Sequence, residues 1–241
     1  MKIIEKIKNR ASAVCEHRPP LIAFTGDSVT QGCFELYVKE GGVVETVFIP
    51  SESYTEKIKK IFAMFFPSAN VSIVNTGISG NRAEFGLMRL ESDVLSVNPD
   101  LTVVCFGIND SNQKQDGIEK YGNSLREIFK KLKNAGSEVI FMTPNMATDR
   151  VDFSIKEEEI QAAALRVATT VNEGWLDKYM EEAKKVCKEE NIPVCDCYGL
   201  WKTLHKNGVD VTNMLSNKIN HPTKEMHWMF AYELVKTMFE K

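Results

Sequence analysis

Apolar residues gather in five short runs rich in β-branched side chains: Leu21–Thr25, Val71–Asn75, Leu101–Phe106, Glu138–Met142 and Ile192–Asp196. A run of this length with little alternation predicts a strand buried on both faces. Between these runs the apolar positions recur every three or four residues. Tyr54, Ile58, Ile61, Phe62 and Phe65 share one helical face, and Ser53 and Glu56 stand at capping-box spacing ahead of it. Ile118, Tyr121, Leu125, Ile128, Phe129 and Leu132 form a second stripe, stopped by Asn134-Ala135-Gly136. Trp175, Leu176, Tyr179, Met180, Ala183, Val186 and Cys187 form a third, and a last helix runs from about Thr223 toward the C-terminus.

Strands that alternate with helices need long crossovers, and right-handed crossovers place helices on both faces of a parallel sheet. The expected architecture is therefore an α/β fold, a three-layer α/β/α sandwich. Ligands of such sheets sit outside the carboxyl ends of the strands, so the residues just after each strand are the first place to seek chemistry. Residues 1–20 read as an N-terminal helical extension and residues 21–241 as one domain, with no repeat or low-complexity linker. Two stretches exceed the minimal pattern. Cys33–Pro50 is a long connection containing Gly41-Gly42, and Asn145–Val171 contains the acidic run Lys156-Glu157-Glu158-Glu159, which reads as a solvated helix face. Both adjoin strand ends, where long loops shape access to substrate.

Composition narrows the partners. Among 241 residues, 30 Lys and Arg face 33 Asp and Glu, a net charge of −3, so there is no cationic surplus to neutralise phosphates and nucleic acid is not expected. No apolar run approaches the roughly 18 residues that span a bilayer, and Met1–Pro20 lacks the apolar core of an export signal. The cytoplasm is the expected location, without a membrane, and the six cysteines are expected to be reduced. Cys195-Asp196-Cys197 lacks the paired Cys or His spacing of a zinc site, so no metal is expected. No G-x-x-x-x-G-K-S/T or G-x-G-x-x-G run follows a strand, and no cofactor is expected.

The strand ends carry the candidate chemistry. Gly26-Asp27-Ser28 follows the first run and offers a serine on a tight strand-to-helix turn. Asn75-Thr76-Gly77-Ile78-Ser79-Gly80 follows the second, where a glycine N–H could face an oxygen held over Ser28. Gly107-Ile108-Asn109-Asp110 follows the third and offers a side-chain amide donor at Asn109. Near the C-terminus His221 precedes Pro222, and its near-neutral pKa suits a general base. Taken singly, each has an ordinary reading as a turn, a helix cap or a surface histidine.

Taken in order, these four blocks resemble those of the SGNH/GDSL hydrolase family, across residues from about 21 to 232. The resemblance implies a five-stranded parallel, flavodoxin-like sheet. It also implies a serine esterase in which Ser28 is the nucleophile and His221 the base, with an oxyanion held by the N–H groups of Ser28 and Gly80 and by Asn109. Gly77 competes with Gly80 for that role, and Asp27 is expected to brace the turn. One position departs from the family pattern: the aspartate expected three residues before the histidine is Lys218. Three arrangements remain open: a Ser28–His221 dyad with a backbone carbonyl on the other ring nitrogen, orientation by Asn217, or a distant carboxylate such as Asp210 or Glu225.

The expected activity is hydrolysis of carboxylic esters, chiefly short acyl groups such as acetyl on small soluble or carbohydrate alcohols. The alternatives are an acyltransferase of the same fold and a binding protein with weakened catalysis. Arg82 is expected near the pocket, and the oligomeric state is left open.

Overall fold

In the computed structural model, which describes residues 1–240, the five apolar runs pair as one parallel sheet. The strands are β1 (Leu21–Gly26), β4 (Ser72–Asn75), β5 (Leu101–Cys105), β6 (Glu138–Met142) and β7 (Val194–Cys195), arranged β4-β1-β5-β6-β7. Counted among themselves in chain order, these five lie 2-1-3-4-5, the flavodoxin-like order, whose switch point falls between β1 and β5. Phe24 lies opposite Asn75 on one side of β1, and Gly26 opposite Cys105 on the other. The strand ends that carry Ser28, Gly80 and Asn109 are thereby brought side by side.

The helices are α1 (Lys2–Ser12), α2 (Ser28–Gln31), α3 (Tyr54–Phe65), α4 (Ala83–Met88), α5 (Leu90–Asp93), α6 (Ile108–Ser111), α7 (Lys114–Asn134), α8 (Glu158–Asn172), α9 (Trp175–Glu190), α10 (Cys197–Lys206) and α11 (Met226–Phe239). α3 packs with α11, which also meets α1, while α7 packs with α4 and α9. Every residue of β5 is buried, as a central strand covered on both faces must be. α1 contributes Ile3, Ile4 and Ile7 to the same core, so the N-terminal extension is packed onto the sandwich rather than hung from it.

Three local expectations are corrected. Cys33–Pro50 is not a loop but mostly a hairpin of β2 (Cys33–Lys39) and β3 (Val43–Phe48), joined through Gly41-Gly42 with both glycines at positive φ. The second half of Asn145–Val171 is α8, whose apolar face meets that hairpin through a small separate cluster of Ile155, Ile160, Ala164 and Ile219. Ser53 precedes α3 but forms no capping box. Its hydroxyl hydrogen-bonds with Thr55 at 2.7 Å, and the first free N–H of α3, that of Tyr54, donates instead to Nδ1 of buried His227 at 3.0 Å. No helix among the described residues is long and apolar enough to cross a membrane.

Candidate active site

Ser28 sits where β1 turns into α2. Asp27 caps that turn by accepting the Val29 N–H at 3.0 Å, and its carboxyl, pushed up to about 7 by burial, faces away from solvent. Because Ser28 opens the helix, its N–H belongs to the first turn, whose donors have no intrahelical acceptor.

The loop between α10 and α11 delivers His221. Oδ1 of Asn217 accepts three successive N–H groups, from Ile219, Asn220 and His221, at 3.0, 2.9 and 3.0 Å. The Ser216 N–H donates to the His221 carbonyl at 2.7 Å, and Leu215 bridges to Pro222. Few backbone groups in this loop are free, so the imidazole is presented on a fixed base. Nε2 lies 3.0 Å from Ser28 Oγ, and Nδ1 lies 2.8 Å from the carbonyl oxygen of Phe34 at the start of β2.

That carbonyl fixes the protonation pattern. A carbonyl oxygen only accepts, so Nδ1 carries the hydrogen, and in the neutral ring Nε2 then presents its lone pair to the serine hydroxyl. Burial pushes the His221 pKa down to about 4, against upward contributions from the Phe34 carbonyl and the Glu35 charge, so the ring is neutral at pH 7. No carboxylate touches it. Asp210 accepts from the Arg150 guanidinium at 2.6 Å and from the Thr212 N–H, and Glu225 is exposed at the start of α11. The Lys218 ammonium donates to Asn213. Of the three arrangements open in the sequence, the geometry is that of the carbonyl-held dyad, with Asn217 bracing the backbone and not the ring.

Gly77 and Gly80 separate on contacts. A Cβ at Gly77 would come within 2.4 Å of the Gln31 nitrogen, so this glycine lets the second strand-end loop lie against α2. Gly80 stands at φ +74° with open space around it, its N–H has no intramolecular acceptor, and it lines the same cavity as Ser28 and His221. Asn109 joins them there, its amide anchored by donating one N–H to the Asn81 carbonyl at 3.0 Å, which leaves the second for a ligand. The structure thus brings Ser28, Gly80, Asn109 and His221 to one cavity of about 730 Å3. Arg82 does not line it; its guanidinium lies over the Phe85 ring.

Two further groups near the site have bracing roles that the sequence does not reveal. Arg89 reaches from α4 and α5 to tie the loops together, donating to the Gly26 carbonyl at 3.2 Å, the Thr76 carbonyl at 2.5 Å and Asn81 Oδ1 at 3.1 Å. Asp110 accepts the Ala83 N–H at 2.9 Å and holds the start of α4, with burial and the Asp27 charge lifting its pKa to about 7. An i,i+4 spacing to Asp93 is the one mark on Arg89, and Asp110, though it closes the third strand-end block, carries no sign of its bond to the Ala83 N–H.

An acetylxylan esterase of Geobacillus stearothermophilus is 26% identical over 132 residues, covering 51% of this chain and 58% of that protein. A Bacillus subtilis protein described as the uncharacterized lipoprotein YqeF is 25% identical over 134 residues, covering 53% and 55%. The matched regions thus span little more than half the length of these curated relatives. The crystal structure of Axe2, an acetylxylan esterase from G. stearothermophilus, superposes with a TM-score of 0.66 over 92% of this chain and 95% of that one, at 20% identity, and so shares the fold. The profile of the GDSL-like lipase/acylhydrolase family matches residues 24–229, nearly the whole sandwich, and the chain belongs to that family.

Proposed function

We propose that the protein is a serine esterase that hydrolyses acetyl or similarly short acyl esters of carbohydrates. The observation that carries this reading is the 3.0 Å contact between Ser28 Oγ and an Nε2 that the Phe34 carbonyl keeps unprotonated. His221 takes the Ser28 proton as Oγ attacks the ester carbonyl carbon. The N–H groups of Ser28 and Gly80 and the Asn109 amide receive the developing oxyanion. The imidazolium returns its proton to the departing alcohol, leaving an acyl group on Ser28. Water then repeats the sequence on the acyl-enzyme, releasing the carboxylic acid and free serine.

The Phe34 carbonyl performs half of an aspartate's task. It fixes the tautomer, whose loss drops turnover about 10⁴-fold in a protease triad, but it stabilises the imidazolium with a dipole and not a full charge. The acetyl preference is supported by the acetylxylan esterase relatives. A cytoplasmic location remains part of the proposal, supported by six cysteines that are all free thiols.

The test is hydrolysis of p-nitrophenyl acetate and of acetylated xylo-oligosaccharides, with labelling by a fluorophosphonate. Turnover and labelling that both vanish in Ser28→Ala are expected. A wild-type protein that neither turns over nor labels overturns the reading.

A further inference from the structure

The cavity wall farther from the sheet has a charge pattern the catalytic groups do not explain. Two cationic side chains, Arg166 and Lys114, line the cavity, and no aspartate or glutamate does. This is unexpected in a chain of net charge −3. On α8, Ala163, Arg166, Val167 and Thr170 fall at i, i+3, i+4 and i+7, and all four line the cavity, so Arg166 stands on its ligand-facing stripe. The positions three and four residues away from it are Ala162, Ala163, Thr169 and Thr170, which offer no carboxylate.

Arg166 forms no salt bridge and donates no hydrogen bond among the described residues, unlike Arg18, Arg89, Arg126 and Arg150, each of which is held by an acid. Lys114 is held by Glu173 at 2.8 Å and so stands as a partly compensated second cation. Asn112, Thr169 and Thr170 lie on the same wall, but the threonine hydroxyls donate inward, Thr169 to the Leu165 carbonyl and Thr170 to the Arg166 carbonyl and Asn112 Oδ1. The charged donors open to a ligand are therefore those of Arg166, exposed at the cavity mouth, and an unpartnered guanidinium fits a planar or tetrahedral oxyanion, because its fork can donate two parallel N–H bonds to it.

We propose that the alcohol half of the substrate carries an anionic group, a carboxylate or a phosphate, that is received by Arg166 with Lys114 beside it: an acylated acidic saccharide and not a neutral one. The proposal rests on the esterase reading of Ser28 and His221. It gives the long wall of the cavity a role in choosing the alcohol, while the sheet edge handles the acyl group.

The experiment compares kcat/KM for three esters, O-acetyl methyl glucoside, O-acetyl methyl glucuronoside and O-acetyl glucose 6-phosphate, at low and high salt. One or both anionic esters are expected to be preferred by about tenfold at low salt, as one charge-assisted pair at an exposed mouth supplies. The preference should shrink with salt, disappear in Arg166→Gln and return in part in Arg166→Lys. Which anionic ester leads distinguishes carboxylate from phosphate. Equal kcat/KM for all three esters in the wild type, or a preference that survives Arg166→Gln, overturns the proposal and leaves the esterase reading intact. Should none of the esters be cleaved, calorimetry of methyl glucuronoside, glucose 6-phosphate and methyl glucoside with Ser28→Ala still decides it. Neither anion binding more tightly than the neutral glucoside overturns it.

Discussion

Two regions close around one cavity and are held by different means. On the sheet side, Ser28 and Asn109 follow β1 and β5, strands whose Ile22, Phe24, Val103 and Val104 are fully buried in the main core. On the opposite side, the β2–β3 hairpin meets α8 through a small cluster of four buried residues, Ile155, Ile160, Ala164 and Ile219, and β3 has no buried residue at all, while the other edge of α8 packs on α9 and on the main core through Val167 and Val171. Groups that must be placed to a fraction of an ångström are thus backed by dense packing, while the wall that meets the alcohol is thinly supported. Phe34 joins the two. It is the second residue of the hairpin, fully buried, and its carbonyl orients His221. Displacing the wall at its root would therefore reach the catalytic base.

Substitutions at the reacting atoms test the sheet side most severely. Ser28→Ala or His221→Ala should each lower kcat by at least about 10⁴-fold, measured with p-nitrophenyl acetate, because the pair acts as a unit. Asn109→Ala removes one oxyanion donor and should cost about 10²-fold in kcat with little change in KM. A purely structural Asn109 would instead lower the melting temperature and spare kcat.

The wall should respond in stability and exchange more than in chemistry. Ile160→Ala should cost roughly 2–4 kcal/mol if the small cluster unfolds with the rest, but less in global unfolding if the wall opens alone. Hydrogen exchange decides: faster exchange in α8 and the hairpin with β1 and β5 unchanged is expected, and uniform acceleration would erase the distinction between the two regions. Val103→Ala, in the main core, supplies the contrast by destabilising every element together.

These two regions also differ in how far the sequence reveals them. Buried parallel strands announce themselves as apolar runs, so Ser28, Gly80 and Asn109 stand out as strand-end candidates, while His221, in the loop between α10 and α11, is singled out only by the resemblance of the four blocks taken together. The hairpin carried a signal too: Phe34, Leu36 and Val38 alternate with Glu35, Tyr37 and Lys39 before Gly41-Gly42. It reads as a loop only because the polar positions dilute the run. The partner of His221 carried none, since every residue owns a carbonyl and only tertiary structure decides which one meets the ring. Arg166 is similarly silent, because an arginine without an acid can be recognised only when its surroundings are known.

Titration offers a smaller effect with a definite sign. His221 and His227, lowered to about 4 and about 3 by burial, bind fewer protons folded than unfolded, so between about pH 4 and 6.5 each weakens the fold as pH falls. Asp27 and Asp110, raised to about 7, bind more protons folded than unfolded over the same window, and each weakens the fold as pH rises. The two pairs oppose one another across this window. Asp110→Asn keeps the acceptor for the Ala83 N–H but removes one proton site, so its stability should rise with pH across this window relative to wild type. Thermal denaturation from pH 4.5 to 6.5 measures this; parallel curves for the two proteins would show that Asp110 does not titrate there. Activity should follow the base alone, with kcat/KM holding its plateau well below the pH 6.5 of an unshifted histidine.

The smallest effect expected is at the position where the family pattern calls for an aspartate. Lys218 occupies the left-handed region at φ +58°, and its ammonium is taken by Asn213 at 3.1 Å. Nδ1 of His221 already has its acceptor in the Phe34 carbonyl, and the backbone that would have to swing a new carboxylate toward the ring is held by three N–H bonds to Asn217. Lys218→Asp should therefore change kcat by no more than about twofold, because the half-buried Lys218 gives up only its bond to Asn213 and the ring keeps both of its partners. A tenfold gain would mean that the loop can deliver an acid to the imidazole after all. It would also mean that the hairpin's hold on His221 through Phe34 is looser than the link between wall and sheet edge requires.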